Sequence, residues 1–185
     1  EVLKREANFP EILINNAAID FVPVKGEKSD GLDISNFKNI TDVNIFAPIY
    51  FSKECVNYWK QKKIKGNILN ISSIYSVVSP DPNLYNEGFV KNLLYGMSKA
   101  SLNSITKQMA VMTAKDDIRV NAVLFSGIRS DNQDHEFVEK YKNRIPIGRF
   151  LESNEAYELI SFVISEKNSY MTGELVKLDG GYCSI

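Results

Sequence analysis

Histidine is nearly absent from this 185-residue chain, where His135 stands alone. One imidazole excludes a Cys2His2 or three-histidine zinc centre, and any Ser/His/Asp triad would rest on a single residue in a polar stretch, so no metal site is expected. Cysteine is almost as scarce: Cys55 and Cys183 are too few and too far apart for a zinc ribbon or a disulfide framework. They read as two reduced thiols, which points to a cytoplasmic protein. Long hydrophobic runs are missing, since the most apolar stretch, residues 43–51, carries Asn44 and Pro48 and falls far short of the ~20 residues of a membrane helix. No segment reads as a signal peptide, and no membrane partner is expected. Charge of one sign is lacking as well. Lys and Arg total 22 against 23 Asp and Glu, a net charge of −1, so no overall basic field exists to hold nucleic acid.

What remains is globular. Hydrophobic residues make up 44% and charged residues 24%, which excludes a disordered or collagenous chain, and the length suits one domain over residues 1–185. The opening stretch, residues 1–8, reads as the tail of a helix whose beginning is missing, as expected of a piece of a longer protein. Residues 11–15 form a short apolar run after Pro10, which suits a buried parallel strand. From Ser35 to about residue 63, Phe37, Ile40, Val43, Ala47, Tyr50, Phe51 and Tyr58 recur at helical steps, predicting a long helix kinked near Pro48 and ended by Gly66. Residues 67–71 are the next strand, leading into Ser72-Ser73, and residues 76–93 read as loop. A second long helix is predicted over residues 94–115, and a β-rich run over residues 118–125 closed by Ser126-Gly127. After a polar segment, a helix over residues 153–166 and a strand over residues 174–178 complete the pattern. Such alternation implies an α/β, doubly wound parallel sheet covered on both faces. Ligands then sit at the carboxyl ends of the strands, where Asn15-Asn16, Ser72-Ser73 and Phe125-Ser126-Gly127 fall.

Tyr95 and Lys99 stand four apart at the start of a predicted helix, so phenol and ammonium project from one face and can act on one atom. A nearby cation favours phenolate and makes Tyr a usable general acid or base. The spacing alone is weak evidence, because Tyr58 and Lys62 repeat it late in the first long helix, where a solvated basic end is the better reading. Ser73 follows a strand, where its hydroxyl can donate to a substrate oxygen, and Asn44 offers a side-chain amide to hold a water. Each has a plain structural alternative: Ser73 as a turn residue, Asn44 as a helix defect, Tyr95 as a packed aromatic.

Together and in order, Asn15-Asn16-Ala17-Ala18, Val43-Asn44, Asn70-Ile71-Ser72-Ser73, Tyr95-Gly96-Met97-Ser98-Lys99-Ala100, Ile118-Arg119-Val120-Asn121-Ala122 and Asp179-Gly180-Gly181 resemble the short-chain dehydrogenase/reductase family over almost the whole chain. The resemblance implies a Rossmann-like fold and an oxidoreductase that uses NAD or NADP to interconvert an alcohol and a ketone. Tyr95 would then be the acid/base, Ser73 would polarise the substrate oxygen, and Lys99 would lower the Tyr95 pKa and bind the nicotinamide ribose. Asn44 would hold a relay water. The turn Asn15, Asn16 and Ala17 would lie against the cofactor, together with Tyr95 and Lys99, and the backbone near Ile128 would meet the nicotinamide carboxamide. The two long helices would form the contact of a homodimer or homotetramer.

Three departures stand out. The family's glycine-rich turn after the first strand is absent with roughly the first third of the fold, so N-terminal strands are expected to be missing and dinucleotide binding by the chain as given is expected to be weak. Phe125-Ser126 replaces the usual Pro-Gly, and Ala18 replaces a Gly. The stretch Ser73-Ile74-Tyr75-Ser76-Val77-Val78-Ser79-Pro80-Asp81-Pro82, with residues 132–137, Tyr141 and residues 146–149, also resembles a subgroup linked to flagellin modification and sialic-acid-like sugars. That narrower likeness implies a sugar derivative as small-molecule substrate. The competing reading is a catalytically silent member acting as an oligomeric interaction protein.

Overall fold

The computed structural model describes residues 9–20, 28–85, 87–131 and 133–185. The helix tail expected over residues 1–8, and Asn132 of the polar loop, lie outside them. Four strands, β1 (Ile12–Asn15), β2 (Gly66–Ser73), β3 (Ile118–Phe125) and β4 (Leu175–Leu178), form one parallel sheet in the order β1-β2-β3-β4. Register is continuous: Asn15 pairs with Asn70, Asn70 with Ala122, and Ser73 with Phe125. All the carboxyl ends therefore emerge at one rim. The fold is an α/β, Rossmann-like arrangement, as expected from the alternation of elements.

Helices cover both faces because β2 and β3 are apolar on both. The helices α2 (Ala47–Lys62) and α3 (Leu93–Thr113) pack on one face, where Cys55, Trp59 and Ala110 meet Ile68, Ile118 and Val120. On the other face α5 (Ser153–Ile164) sets Ala156 and Val163 against Leu69, Val123 and Phe125. Among the described residues no helix is long and apolar enough to cross a membrane.

The long helix expected over residues 35–63 is three consecutive pieces: α1 (Phe37–Thr41), a π-helical turn (Asp42–Phe46) and α2. The irregularity expected near Pro48 therefore lies just ahead of it. Pro48 has no N–H to give the carbonyl of Asn44, four residues earlier, and the chain widens to a five-residue repeat, with the Ala47 N–H bonded to the Asp42 carbonyl. Gly66 does not end this helix. Lys63 does so in the left-handed region, at φ 55°, and Gly66 is the first residue of β2. Its missing side chain matters, because a Cβ there would fall inside the ring of Trp59.

A further helix, α4 (His135–Arg144), occupies the polar segment to which the sequence assigns no element. Asp134 caps it by accepting from the Glu136 and Phe137 N–H groups, and Phe137, Val138 and Tyr141 turn inward. These side chains join Ile74, Leu84, Tyr85, Phe89, Phe150 and Tyr182 in a third core cluster, beyond the carboxyl ends of the strands. Of the expected loop over residues 76–93, Ser76 ends a 3-10 turn, Ile74–Ser76, Leu93 opens α3, and the described residues between are irregular apart from a second 3-10 turn, Pro82–Leu84.

Gly66→Ala forces a methyl group into a fully buried tryptophan. Overpacking of this kind costs ~1–3 kcal/mol. The urea midpoint should fall accordingly, and an unchanged midpoint would show that the strand and Trp59 separate freely.

Candidate active site

Ser73 closes β2 in extended backbone, and its Oγ accepts from the Tyr75 N–H at 3.2 Å. That bond leaves the Ser73 O–H free to donate. Tyr95 lies in the first turn of α3, which is capped by Asn92, whose side chain accepts from the Leu94 N–H at 2.8 Å. Ser73 and Tyr95 line one cavity of about 430 Å³ at the rim of the sheet, where the serine hydroxyl acts on the phenol to lower its pKa. Aromatic side chains dominate its walls: Tyr75, Tyr85, Phe125, Phe137, Tyr141 and Phe150. The Tyr75 and Tyr85 hydroxyls bond to each other at 3.1 Å, and the Tyr141 hydroxyl accepts from the Gly127 N–H at 2.6 Å.

Lys99, one turn along α3 from Tyr95, is almost completely buried behind the cavity. Its ammonium lies 5.7 Å from the Tyr95 ring centroid and donates to the Ile71 carbonyl at 2.8 Å. Burial pushes the Lys99 pKa down to about 8, which the carboxylate of Asp20 partly opposes. Burial also pushes Tyr95 up to about 12, with Asp20 acting in the same direction and the Ser73 hydrogen bond against it. Desolvation thus dominates at Tyr95, Ser73 rather than Lys99 is the group that opposes it, and Tyr95 stands as a protonated phenol at neutral pH.

Asn44 sits in the π-helical turn and is 1% exposed. Its Oδ1 accepts from the Ile19 N–H at 2.8 Å, while Nδ2 donates to the Ile19 carbonyl at 2.9 Å and to Ser98 Oγ at 3.0 Å. Both amide N–H groups are engaged, so the amide expected to hold a water instead clamps the turn after β1 to α3. Ser98 Oγ in turn donates to the Tyr95 carbonyl at 2.8 Å.

The turn after β1 is split in role. Asn15 points inward, donating to Asn70 Oδ1 at 2.8 Å and Ser52 Oγ at 3.2 Å, whereas Asn16 and Ala17 are exposed at the rim. Ala18 has no positive φ, so the backbone there does not require the glycine it replaces. Ile128 bridges to Leu151, and its carbonyl accepts from Gln133 Nε2 at 3.0 Å. Phe125 packs with Leu69, Val123 and Leu151 while also reaching the cavity. The chance pair Tyr58 and Lys62 is not part of the site; Tyr58 stacks on Phe9 at 4.0 Å. Among the described residues no cluster of His, Cys, Asp and Glu could hold a metal ion.

Two charged cavity residues escaped sequence reasoning. Lys91 donates to Asp20 Oδ2 at 2.7 Å and lies 5.2 Å from the Tyr95 ring centroid. Lys91 stands four residues before Tyr95, the same spacing that drew attention to Lys99, whereas nothing local marks Asp20.

The family model for enoyl-(acyl carrier protein) reductases matches residues 2–183 of this chain. The chain belongs to the short-chain dehydrogenase/reductase family. It is 27% identical over 175 residues to glucose 1-dehydrogenase 2 of Bacillus subtilis, covering 92% of this chain and 63% of that protein. It is 31% identical over 191 residues to 7alpha-hydroxysteroid dehydrogenase of Paraclostridium sordellii, covering 98% and 65%. The crystal structure of a short chain dehydrogenase from Leptospira borgpetersenii with bound NAD+ superposes with a TM-score of 0.81 at 33% identity, over 94% of this chain and 65% of that one. The chain thus spans under two thirds of the length of these relatives.

Asn44→Ala removes three hydrogen bonds at a buried junction. The loss should destabilise the fold by ~1–3 kcal/mol for each backbone or hydroxyl group left unsatisfied. Chemical denaturation reads this directly, and a change under ~0.5 kcal/mol would show that the clamp is redundant.

Proposed function

We propose that this chain carries the acid/base centre of an NAD- or NADP-dependent oxidoreductase that interconverts an alcohol and a ketone. The observation that carries the reading is the meeting of Ser73 from β2 and Tyr95 from α3 in one cavity, with the Lys99 ammonium buried behind Tyr95. In reduction, the Tyr95 phenol gives its proton to the substrate oxygen while the Ser73 O–H polarises the same oxygen. Lys99 stabilises the negative charge that then develops on Tyr95, and Asn44 acts by holding α3 and the turn after β1 in register.

The residues present suit a dinucleotide. Asn16 and Ala17 lie exposed at the strand rim, and the Lys99 ammonium, with three N–H groups, makes one hydrogen bond among the described residues. Asn15, Asn16, Ala17, Tyr95, Lys99 and the backbone at Ile128 would hold the cofactor, which supplies the hydride when bound. Its pyrophosphate needs contacts beyond these.

The substrate we propose is a sugar derivative, in surface-glycan or flagellin-glycan synthesis in the cytoplasm. Aromatic walls around a polar end support it, since ring faces pack against the C–H faces of a sugar. Glucose 1-dehydrogenase among the relatives is consistent with this. A second reading, a silent oligomeric interaction protein, is disfavoured by the buried Lys99: a scaffold gains nothing from a desolvated ammonium behind a cavity. Assembly itself belongs to the proposal. Phe46, Tyr50 and Phe51, from the turn into α2, and Val111 and Met112 on α3 are exposed apolar residues, which supports a homodimer or homotetramer.

Tyr95→Phe keeps the ring and removes the proton, so turnover in protein made from the complete reading frame should fall ~10²–10⁴-fold with folding unaffected. Equal turnover would remove Tyr95 from the mechanism. The Lys99 ammonium is present below about pH 8 and lost above it. Ketone reduction should therefore decline as pH rises through about 8, and Lys99→Met should start lower and lack that limb. A limb that survives in the variant belongs to another group. Light scattering at micromolar concentration should find a dimer or tetramer; a monomer contradicts the assembly.

A further inference from the structure

The Asp20–Lys91 pair is unused by this mechanism, yet it stands inside the same cavity. The Lys91 side chain is 7% exposed, its Nζ lies 2.7 Å from Asp20 Oδ2, and it faces the rings of Tyr95 at 5.2 Å and Tyr75 at 5.9 Å. A buried ammonium needs a counter-charge, and Asp20 supplies it. The compensated pair offers a cationic N–H donor and an anionic acceptor side by side. A hydroxyl group satisfies both at once, accepting from Lys91 and donating to Asp20. A carboxylate would meet the Asp20 oxygen as closely as the ammonium, and a hydrocarbon would leave both groups unsolvated.

Placement strengthens the argument. Asp20 directly follows Ile19, which Asn44 grips through both backbone groups, and Lys91 immediately precedes Asn92, the cap of α3. The pair is thus fixed to the two elements that fix Tyr95. We propose that Asp20 and Lys91 recognise a substrate hydroxyl adjacent to the carbon addressed by Ser73 and Tyr95, so that the cavity selects a neutral polyol over a simple or a carboxylated alcohol. This rests on the alcohol–ketone reading of the site and names the residues that would select its substrate.

The test uses protein from the complete reading frame with NAD+ and NADP+ and three probes: cyclohexanol, cyclohexane-1,2-diol and 2-hydroxycyclohexanecarboxylate. Two added hydrogen bonds should favour the diol over cyclohexanol by about tenfold or more in kcat/KM. The carboxylate should show no such advantage. Lys91→Met alone would strand a half-buried carboxylate, so the informative variant is Asp20→Asn/Lys91→Met, which should bring the ratio near one, while Lys91→Arg should retain it. Equal rates for diol and cyclohexanol, preference for the carboxylate, or a ratio that survives in the double variant would each overturn the proposal. If the wild-type protein oxidises none of the three, saturation-transfer NMR decides. Stronger transfer to the diol than to cyclohexanol, lost in the double variant, supports recognition, and equal or absent transfer overturns it. Oxidation undiminished by Tyr95→Phe would instead sink the acid/base reading, with the diol ratio still judging the pair.

Discussion

One buried amide sets the frame on which the active-site geometry depends. Asn44 grips both backbone groups of Ile19 and the Ser98 hydroxyl, and Ser98 holds the Tyr95 carbonyl. The turn after β1, the π-helical turn before α2 and the first turns of α3 therefore move as one body. In a region this deeply buried, an unmet amide is costly, so alternative placements of Tyr95 relative to the strand rim are disfavoured. The π-helical turn supplies the aim of the amide, and Pro48 explains why the helix widens there.

A second polar chain runs through the layer between sheet and helices. Asn15 donates to Asn70, and Asn70 donates to Thr106, which donates to the Leu102 carbonyl, so β1, β2 and α3 are joined by a chain of side-chain hydrogen bonds within an apolar layer. Polar residues here specify register, since a one-residue slip of β2 would strand each of them against hydrocarbon. At the rim the balance reverses. An aromatic cluster forms much of the cavity wall, and its polar lining includes Ser73, Tyr95, the Asp20–Lys91 pair, Ser126, Gln133 and Asp134. Burial dominates the electrostatics here, raising Tyr95 and lowering Lys99, so the phenol keeps its proton at neutral pH while the ammonium gives up its own near pH 8.

Legibility followed the length of each pattern. The four strands were readable to within a residue or two because β-branched and apolar runs bounded by small residues have few alternatives. Gly66 was misread as a helix stop, because its requirement comes from Trp59, a neighbour brought by the fold. The helix α4 was missed because its apolar residues, Phe137, Val138 and Tyr141, are outnumbered by charges, and its inward face becomes apolar only against Tyr85 and Phe150. Of the site, the Tyr95 and Lys99 spacing and the strand-end Ser73 were visible as patterns, and the direction of the pKa shifts was not.

By itself, the sequence determined the alternation of strands and helices, the parallel sheet and the order of Asn44, Ser73, Tyr95 and Lys99 along the chain, since each depends on local spacing and composition, and its ordered motifs carried the resemblance to the family. Only the tertiary structure decided what those groups do to one another. It buried Lys99 behind Tyr95, turned the Asn44 amide onto Ile19, and set Lys91 against Asp20, 71 residues apart in the chain. Desolvation and pairing depend on which distant segments exclude water from a site, and no local pattern carries that information.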